Sequence, residues 1–242
     1  MNNRNDTVLT ILICCYNAED FLPQCLGSLL GQNISNSFYE ILFINDASTD
    51  NSLKIAKKYG SILSNFRLFN NRRNRGLVNC CNKALKMIDT PYFMRLDADD
   101  YLSSDAFEKI YKELKLSNKQ DFIIFNRWDV YGDIRKKIAV RRDIYTWIAT
   151  SVVFNTEEVR TVGGYSAEYW EEYDLFIKLL EGGAKYRLSP GRIYCYRRNH
   201  GSMTQSSDEN KIGFERLITK WGVKVLEKYG NFQNVIEYYK GL

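Results

Sequence analysis

The chain has 242 residues, 45% hydrophobic and 26% charged, with 3 Pro and 15 Gly. That suffices for one large domain, or one domain with an appendage, to bury a core without disulfide or metal staples. The composition excludes collagen-like and largely disordered chains, and 34 Lys+Arg against 29 Asp+Glu give +5, too small an excess to argue for nucleic acid.

No apolar run approaches the roughly 18 residues of a membrane span, and no signal-peptide core follows the polar start. Six Cys include the adjacent pairs Cys14-Cys15 and Cys80-Cys81, and there is one His. Neither a CxxC motif nor His spacing suggests zinc. The expectation is reduced thiols in a cytosolic protein, with Cys14 and Cys15 as core residues at a strand end.

The first hundred residues alternate strand and helix. Residues 8–13 are β-branched and apolar, the pattern of a buried strand. Residues 17–20 (Asn-Ala-Glu-Asp) predict a helix start, with the helix running to about Gly31. A second strand is expected over 40–44, and a helix from Ser48-Thr49-Asp50 through Tyr59. A short strand at 67–69, a helix over 76–88, a strand over 92–96 and a helix from Ser103/Ser104 to about Leu116 complete the series. This βαβαβαβ order predicts a mostly parallel sheet with helices on both faces.

The second half is mixed. Strands are expected at 122–125, 134–140, 151–154, 186–188 and 192–196. A short helix over 157–162 stops at Gly163-Gly164, and a longer one over 170–181 stops at Gly182-Gly183. From Asp208 the pattern is amphipathic and helical, with Ile212, Leu217, Ile218, Trp221, Val225 and Leu226 as apolar members. A helix packed on the core is the preferred reading of this tail. A surface touching anionic membrane, with Trp221 at the interface, is the sharper one.

Ligands of open parallel sheets bind outside the carboxyl ends of the strands. Three polar turns fall there: Cys15-Tyr16-Asn17, Asn45-Asp46-Ala47-Ser48 and Asp97-Ala98-Asp99-Asp100. Three carboxylates in four residues repel one another unless a cation lies among them. Their oxygens suit Mg²⁺ or Mn²⁺, which bind through one or two carboxylates plus phosphate oxygens; a solvated acidic turn capping the next helix is the plain alternative. Asp46 is either an Asx-turn residue or a carboxylate accepting an imide N–H from a base. Charge favours an anionic ligand. Residues 51–88 hold nine basic and no acidic residues, among them Arg67, Arg72, Arg73 and Arg75. Residues 182–207 are again free of acids, with Lys185, Arg187, Arg192, Arg197 and Arg198. Neither a P-loop nor GxGxxG is present.

Six ordered segments carry a family resemblance. They are Ile13-Cys14-Cys15-Tyr16-Asn17, the run from Glu40 to Asp50 ending Asn-Asp-Ala-Ser-Thr-Asp, and Asn74-Arg75-Gly76 with Asn82. Leu96-Asp97-Ala98-Asp99-Asp100 is the fourth. Val162-Gly163-Gly164-Tyr165 with Glu171-Glu172-Tyr173-Asp174-Leu175 is the fifth, and Tyr196-Arg197 with His200-Gly201-Ser202 the sixth. From about Leu9 to Ser202 the chain resembles a family 2 glycosyltransferase of the GT-A fold. The resemblance implies an α/β fold with a mostly parallel nucleotide-binding sheet flanked by helices, a mixed acceptor-side half and C-terminal helices. It places a glycosyltransferase domain at 1–207, with a donor half to 100 and an acceptor half after it, and a helical extension at 208–242.

It further implies inverting transfer from a nucleotide-diphosphate sugar, often a UDP sugar, to a carbohydrate or lipid-linked acceptor. The setting would be polysaccharide or glycolipid synthesis, in the cytoplasm or at the inner membrane face. Asp46 would read the base. Tyr16, Asn17, Arg75, Asp97 and Arg197 would line the nucleotide, and Asp99, with Asp97 and His200, would hold Mn²⁺ or Mg²⁺. Glu172 would be the base that deprotonates the acceptor hydroxyl.

Three positions depart from the family pattern. Glu171-Glu172 replaces Glu-Asp, and Ala47 replaces a Gly, so a negative φ is expected there. Cys81 stands where an Arg commonly precedes Asn82, with Arg72, Arg73 or Arg75 as substitutes. These departures motivate the alternative of an inactive family member acting as a binding or scaffold protein. A sugar nucleotidyltransferase is disfavoured, because a Gly-rich phosphate loop after the first strand is missing. Nucleic-acid binding is disfavoured by the acidic cluster.

Overall fold

The computed structural model describes residues 7–63, 65–116, 120–166, 170–198 and 207–240. β1 (Leu9–Cys15) is the hub of the first half of the chain. Six of its seven residues are buried, so both faces are covered, as an all-apolar strand requires. It pairs in parallel with β2 (Tyr39–Asn45) on one side and β4 (Tyr92–Arg95) on the other, and β2 pairs with β3 (Phe66–Asn70). The connecting helices are α1 (Leu22–Leu30), α2 (Ser52–Gly60) and α3 (Leu77–Leu85). In α1 the residues Leu22, Cys25, Leu26 and Leu29 recur every three or four positions and are all buried.

The sheet continues as β4-β8-β6-β9-β5, where the first half's parallel rule ends. β5 (Tyr101–Leu102) and α4 (Ala106–Leu116) follow the acidic turn. β6 (Phe122–Tyr131) forms an antiparallel hairpin with β7 (Ile134–Ile138). Two 3-10 turns, Ile144–Thr146 and Ala149–Ser151, lead to β8 (Val152–Asn155), α5 (Thr156–Thr161), α6 (Glu171–Glu181) and β9 (Tyr186–Arg197). Three short helices follow: α7 (Ser207–Trp221), α8 (Val223–Lys228) and α9 (Phe232–Lys240).

The mostly parallel sheet flanked by helices is as expected; several details differ. β6 runs six residues beyond the expected end at Phe125, because the partners β7 and β9 take up its far half. The two strands expected at 186–188 and 192–196 are one strand, β9, whose irregularity opposite Phe125–Arg127 absorbs Pro190 and Gly191. α1 starts at Leu22 with Pro23 in its first turn, so residues 17–20 are not its cap. Asn17 instead adopts φ 48° and reaches across to the next turn. Ala47 has φ 60°, contrary to the expected negative value. The closure of the Asn17 and Ser48–Thr49 turns on each other holds both residues there.

The tail is broken at Gly222, where φ is 72°, and again before Phe232. Most of its apolar residues turn inward: Leu217, Leu226 and Phe232 are buried, and Ile218, Trp221 and Val225 pack on the core around Trp147 and Phe176, whereas Ile212, expected among them, is exposed. Trp221 donates its indole N–H to Asp174, so it is not an interface anchor. Among the described residues no helix is long and apolar enough to cross a membrane.

Candidate active site

The strand order places β2 and β4 on opposite sides of β1, so the connections leave in opposite directions and a crevice opens beyond its carboxyl end. The first two turns interlock there. Asn17 N–H donates to Ser48 Oγ (3.1 Å), and Thr49 N–H donates to Asn17 Oδ1 (2.8 Å). Tyr16, 49% exposed, is left with its ring free to lie against a ligand.

Asp46 is 3% exposed. Its oxygens accept from Asn71 Nδ2 (2.8 Å), Arg75 N–H (2.9 Å) and Gly76 N–H (2.8 Å). The carboxylate thus fixes the loop after β3, and an imide N–H reaching it would have to displace one of these donors. Gly76, at φ 80°, permits the approach. Asn71, Arg75, Asn79 and Lys83 line a cavity of about 400 Å³ on the α3 side of this loop.

The acidic turn is sorted by hydrogen bonding. Asp100 is buried and accepts from Tyr194 Oη (2.7 Å) and Arg197 N–H (2.6 Å). Burial, reinforced by Asp99 and Asp97, pushes its carboxyl up to about 8. Asp99 is also raised, by burial and the nearby Asp97, and its carboxylate forms no ion pair among the described residues. Arg197 lies across this turn: its Nε donates to the Asp99 carbonyl (2.5 Å), and its guanidinium stacks over Tyr101 and Phe21.

Arg95, unremarked in the sequence, connects this turn to the opposite wall. Its side chain is 5% exposed and pairs with Asp97 (2.9 Å) and with Glu171 Oε1 (2.9 Å). Glu171 and Glu172 open α6, where the helix dipole favours carboxylates. Glu172 Oε2 accepts the Ala149 N–H (3.1 Å). Burial, with Glu171 second, nevertheless raises the Glu172 carboxyl to about 7, against the pull of Ala149 N–H and Arg95. A carboxyl at that value accepts a proton near neutrality, as a general base does.

The motif between these walls is held by Asn82, which donates to the Tyr165 carbonyl (2.7 Å) and accepts the Tyr165 N–H (3.0 Å). Cys81 points into the core beside Cys14 (Sγ–Sγ 4.0 Å). All six thiols are free; hydrogen bonding to Cys80 and Cys81 raises Cys14, and burial raises Cys15 to about 11, so both are held protonated. Asp174, 1% exposed, gathers Lys178 (3.1 Å), Lys220 (2.5 Å), the Trp221 indole (3.0 Å) and Ser166. The signal for Arg95 was its charge within an otherwise apolar strand, and Asp174 stood in the fifth motif; their distant partners Glu171, Lys220 and Trp221 could not be read locally.

The structure therefore brings Tyr16, Asn17, Asp46 and Arg75 together around the first two turns, and Asp97, Asp99 and Arg197 around the third. Arg95 joins the third to Glu171 and Glu172. His200 lies outside the described residues. A divalent cation fits this donor set in one way: Asp99 and Asp97 are hard oxygen donors whose charges repel, and Asp99 forms no ion pair among the described residues, Arg197 and Arg95 acting on it only from a distance. No group of three ligands is present among the described residues, so such an ion would complete its shell with diphosphate oxygens and water.

The model of glycosyl transferase family 2 matches residues 10–170. The chain belongs to this family. A poly(ribitol-phosphate) beta-glucosyltransferase of Bacillus spizizenii is 33% identical over 117 residues, covering 48% of this chain and 18% of that protein. The chain spans about a third or less of the curated relatives named first, an uncharacterized glycosyltransferase of Haemophilus influenzae being covered to 32%. S. aureus TarS 1–349 in complex with UDP-GlcNAc superposes with a TM-score of 0.73 at 16% identity, over 92% of this chain and 71% of that one. At such identity the likeness establishes the fold, which is GT-A.

Proposed function

We propose that this family 2 chain transfers a sugar from a nucleotide-diphosphate sugar, a UDP sugar by preference, to an acceptor hydroxyl with inversion, in cell-surface polysaccharide or glycolipid synthesis. The observation that carries this reading is the Arg95 bridge. It holds a carboxylate of the acidic turn and the first Glu of α6 on one guanidinium, beside a second Glu raised to about 7. Donor and acceptor chemistry then share one crevice.

Tyr16 stacks on the base, and Asp46 acts through the loop it fixes, presenting Arg75 to the nucleotide. Arg197 faces the diphosphate. Asp99 and Asp97 are the residues that would hold Mn²⁺ or Mg²⁺, which supplies charge neutralisation to the leaving diphosphate. Glu172 has Oε2 engaged by Ala149 N–H and takes the acceptor proton on Oε1. As that proton leaves, the acceptor oxygen bonds to the anomeric carbon from the face opposite the nucleoside diphosphate, whose bond to that carbon breaks as it departs, and the centre inverts. Arg95 orients Glu171 through their ion pair without itself moving a proton.

Support also comes from relatives that include a poly(ribitol-phosphate) beta-glucosyltransferase, a teichoic acid poly(glycerol phosphate) polymerase and a chondroitin synthase, and from a mannosyltransferase of similar fold from Pyrobaculum calidifontis in complex with GDP-Man and Mn²⁺. The test is calorimetric titration of UDP with Mn²⁺ and with EDTA, followed by transfer or donor hydrolysis across a panel of nucleotide sugars. Metal-dependent UDP binding with turnover of one donor is expected. Binding without any turnover would favour the scaffold reading, and absence of binding would refute both.

A further inference from the structure

The β6–β7 hairpin stands apart from the rest of the surface. Every residue from 131 to 137 is exposed. At its tip Tyr131 pairs with Ile134 across the strands, so both project from one face, 48% and 70% exposed. Behind them come Arg135, Lys136, Lys137, Arg141 and Arg142, against the acids Asp133 and Asp143. Asp143 is occupied as the cap of the following turn, accepting the Tyr145 N–H.

The root of the hairpin is fixed. Lys137 lies over the Trp128 ring and Arg135 over the Tyr101 ring, at 5.6 Å each. Tyr101 follows the acidic turn directly and pairs with Cys195 of β9. The hairpin therefore leaves the sheet next to the candidate active site, at a set orientation.

Two simpler accounts explain only half of this. Lysines on an exposed edge strand protect it from pairing with other chains, but that needs no isoleucine at the tip. An acidic glycan would meet the cations, yet gains nothing from an exposed Ile134. Cations ringing a small apolar tip match an interface with both negative charge and hydrocarbon.

We propose that the β6–β7 hairpin docks on an anionic lipid bilayer, with Tyr131 and Ile134 entering the headgroup boundary and Lys136, Arg141 and Arg142 facing lipid phosphates. Among the described residues, the tail helices bury Leu217, Leu226 and Phe232 against the core and leave only Ile212 and Val223 exposed, so the proposal rests on the hairpin alone. Its consequence, which rests on the transferase reading, is that a lipid-linked acceptor reaches the crevice from the membrane plane. Docking itself needs no catalysis.

The test is sedimentation of the full chain with phosphatidylcholine vesicles, with and without phosphatidylglycerol, at low and high salt. Expected is binding to the anionic vesicles alone, lost at high salt. The triple variant Lys136→Gln, Arg141→Gln, Arg142→Gln should weaken it about a hundred-fold, at about five-fold per charge. Ile134→Asn should weaken it about ten-fold. Unchanged melting temperature and UDP binding in both variants separate loss of docking from loss of fold or of the donor site. Absence of binding at low salt overturns the proposal. So does binding that these variants leave intact, or retention on an acidic glycan resin without binding to vesicles.

Discussion

Arg95→Met removes the guanidinium that Asp97 and Glu171 share. The side chains of Arg95 and Glu171 are 5% and 12% exposed, so their pair is a buried one; Asp97 at 28% still meets water and counts for less. Removing one partner of a buried pair costs about 3–5 kcal/mol. With the Asp97 side discounted, about 3 kcal/mol is expected, which for a chain of this size lowers Tm by roughly 6–12 °C. The same change acts on the pH profile. Wild-type transfer should require ionised Glu172 and rise through pH about 7, the value to which burial lifts that carboxyl. Arg95 lowers it and Glu171 raises it. Arg95→Met should therefore move the acid limb to higher pH, and Glu171→Gln, which removes a like charge, to lower pH. Calorimetric melts and pH–rate profiles of the three proteins provide the assay. A Tm within about 2 °C of wild type, or an acid limb that both substitutions leave in place, would refute the bridge as the link between the two walls.

Three further outcomes are expected. Glu172→Gln should lower transfer about 10²–10⁴-fold while UDP affinity stays near wild type, with Glu171→Gln costing less; a larger loss from Glu171 would reassign the base. Asp99→Ala should abolish the metal requirement of UDP binding, so that calorimetric affinity becomes the same with Mn²⁺ and with EDTA. Gly164→Ala should destabilise by about 1–3 kcal/mol in denaturant melts, because φ is +68° and the new Cβ would come within 2.6 Å of the Asn82 Oδ1 that holds Tyr165; a change below about 0.5 kcal/mol would show that the loop yields freely.

The donor half was legible because each buried parallel strand is a short apolar run that ends in polar residues, as at Ile13–Asn17 and Leu96–Asp100. The acceptor half was less so. The far part of β6 reads as Asn-Arg-Trp-Asp-Val-Tyr, and its strand state comes from pairing with β7 and β9 rather than from its own pattern. The positive φ of Ala47 follows from a hydrogen-bonded approach of two turns about 30 residues apart, which no local preference encodes. Of the site, the acidic turn stood out as a charge cluster, and the α6 carboxylates were picked out through the family resemblance. Arg95 did not, since its meaning depends on Glu171, 76 positions later.

Asp174 has a bearing on biosynthesis. It lies on the helix that begins with the two glutamates, yet two of its partners, Lys220 and Trp221, come from α7. A ribosome adds roughly 5–20 residues per second, so this buried carboxylate meets Lys178 at once but waits roughly 2–10 s for Lys220 and Trp221. During that interval the first half has its strands and can close, while α6 lacks its fastening to α7. The order of synthesis thus makes the nucleotide crevice mature first and the acceptor wall last. Nascent chains arrested before residue 220 should already resist proteolysis in β1–β4 and remain cleavable around α6.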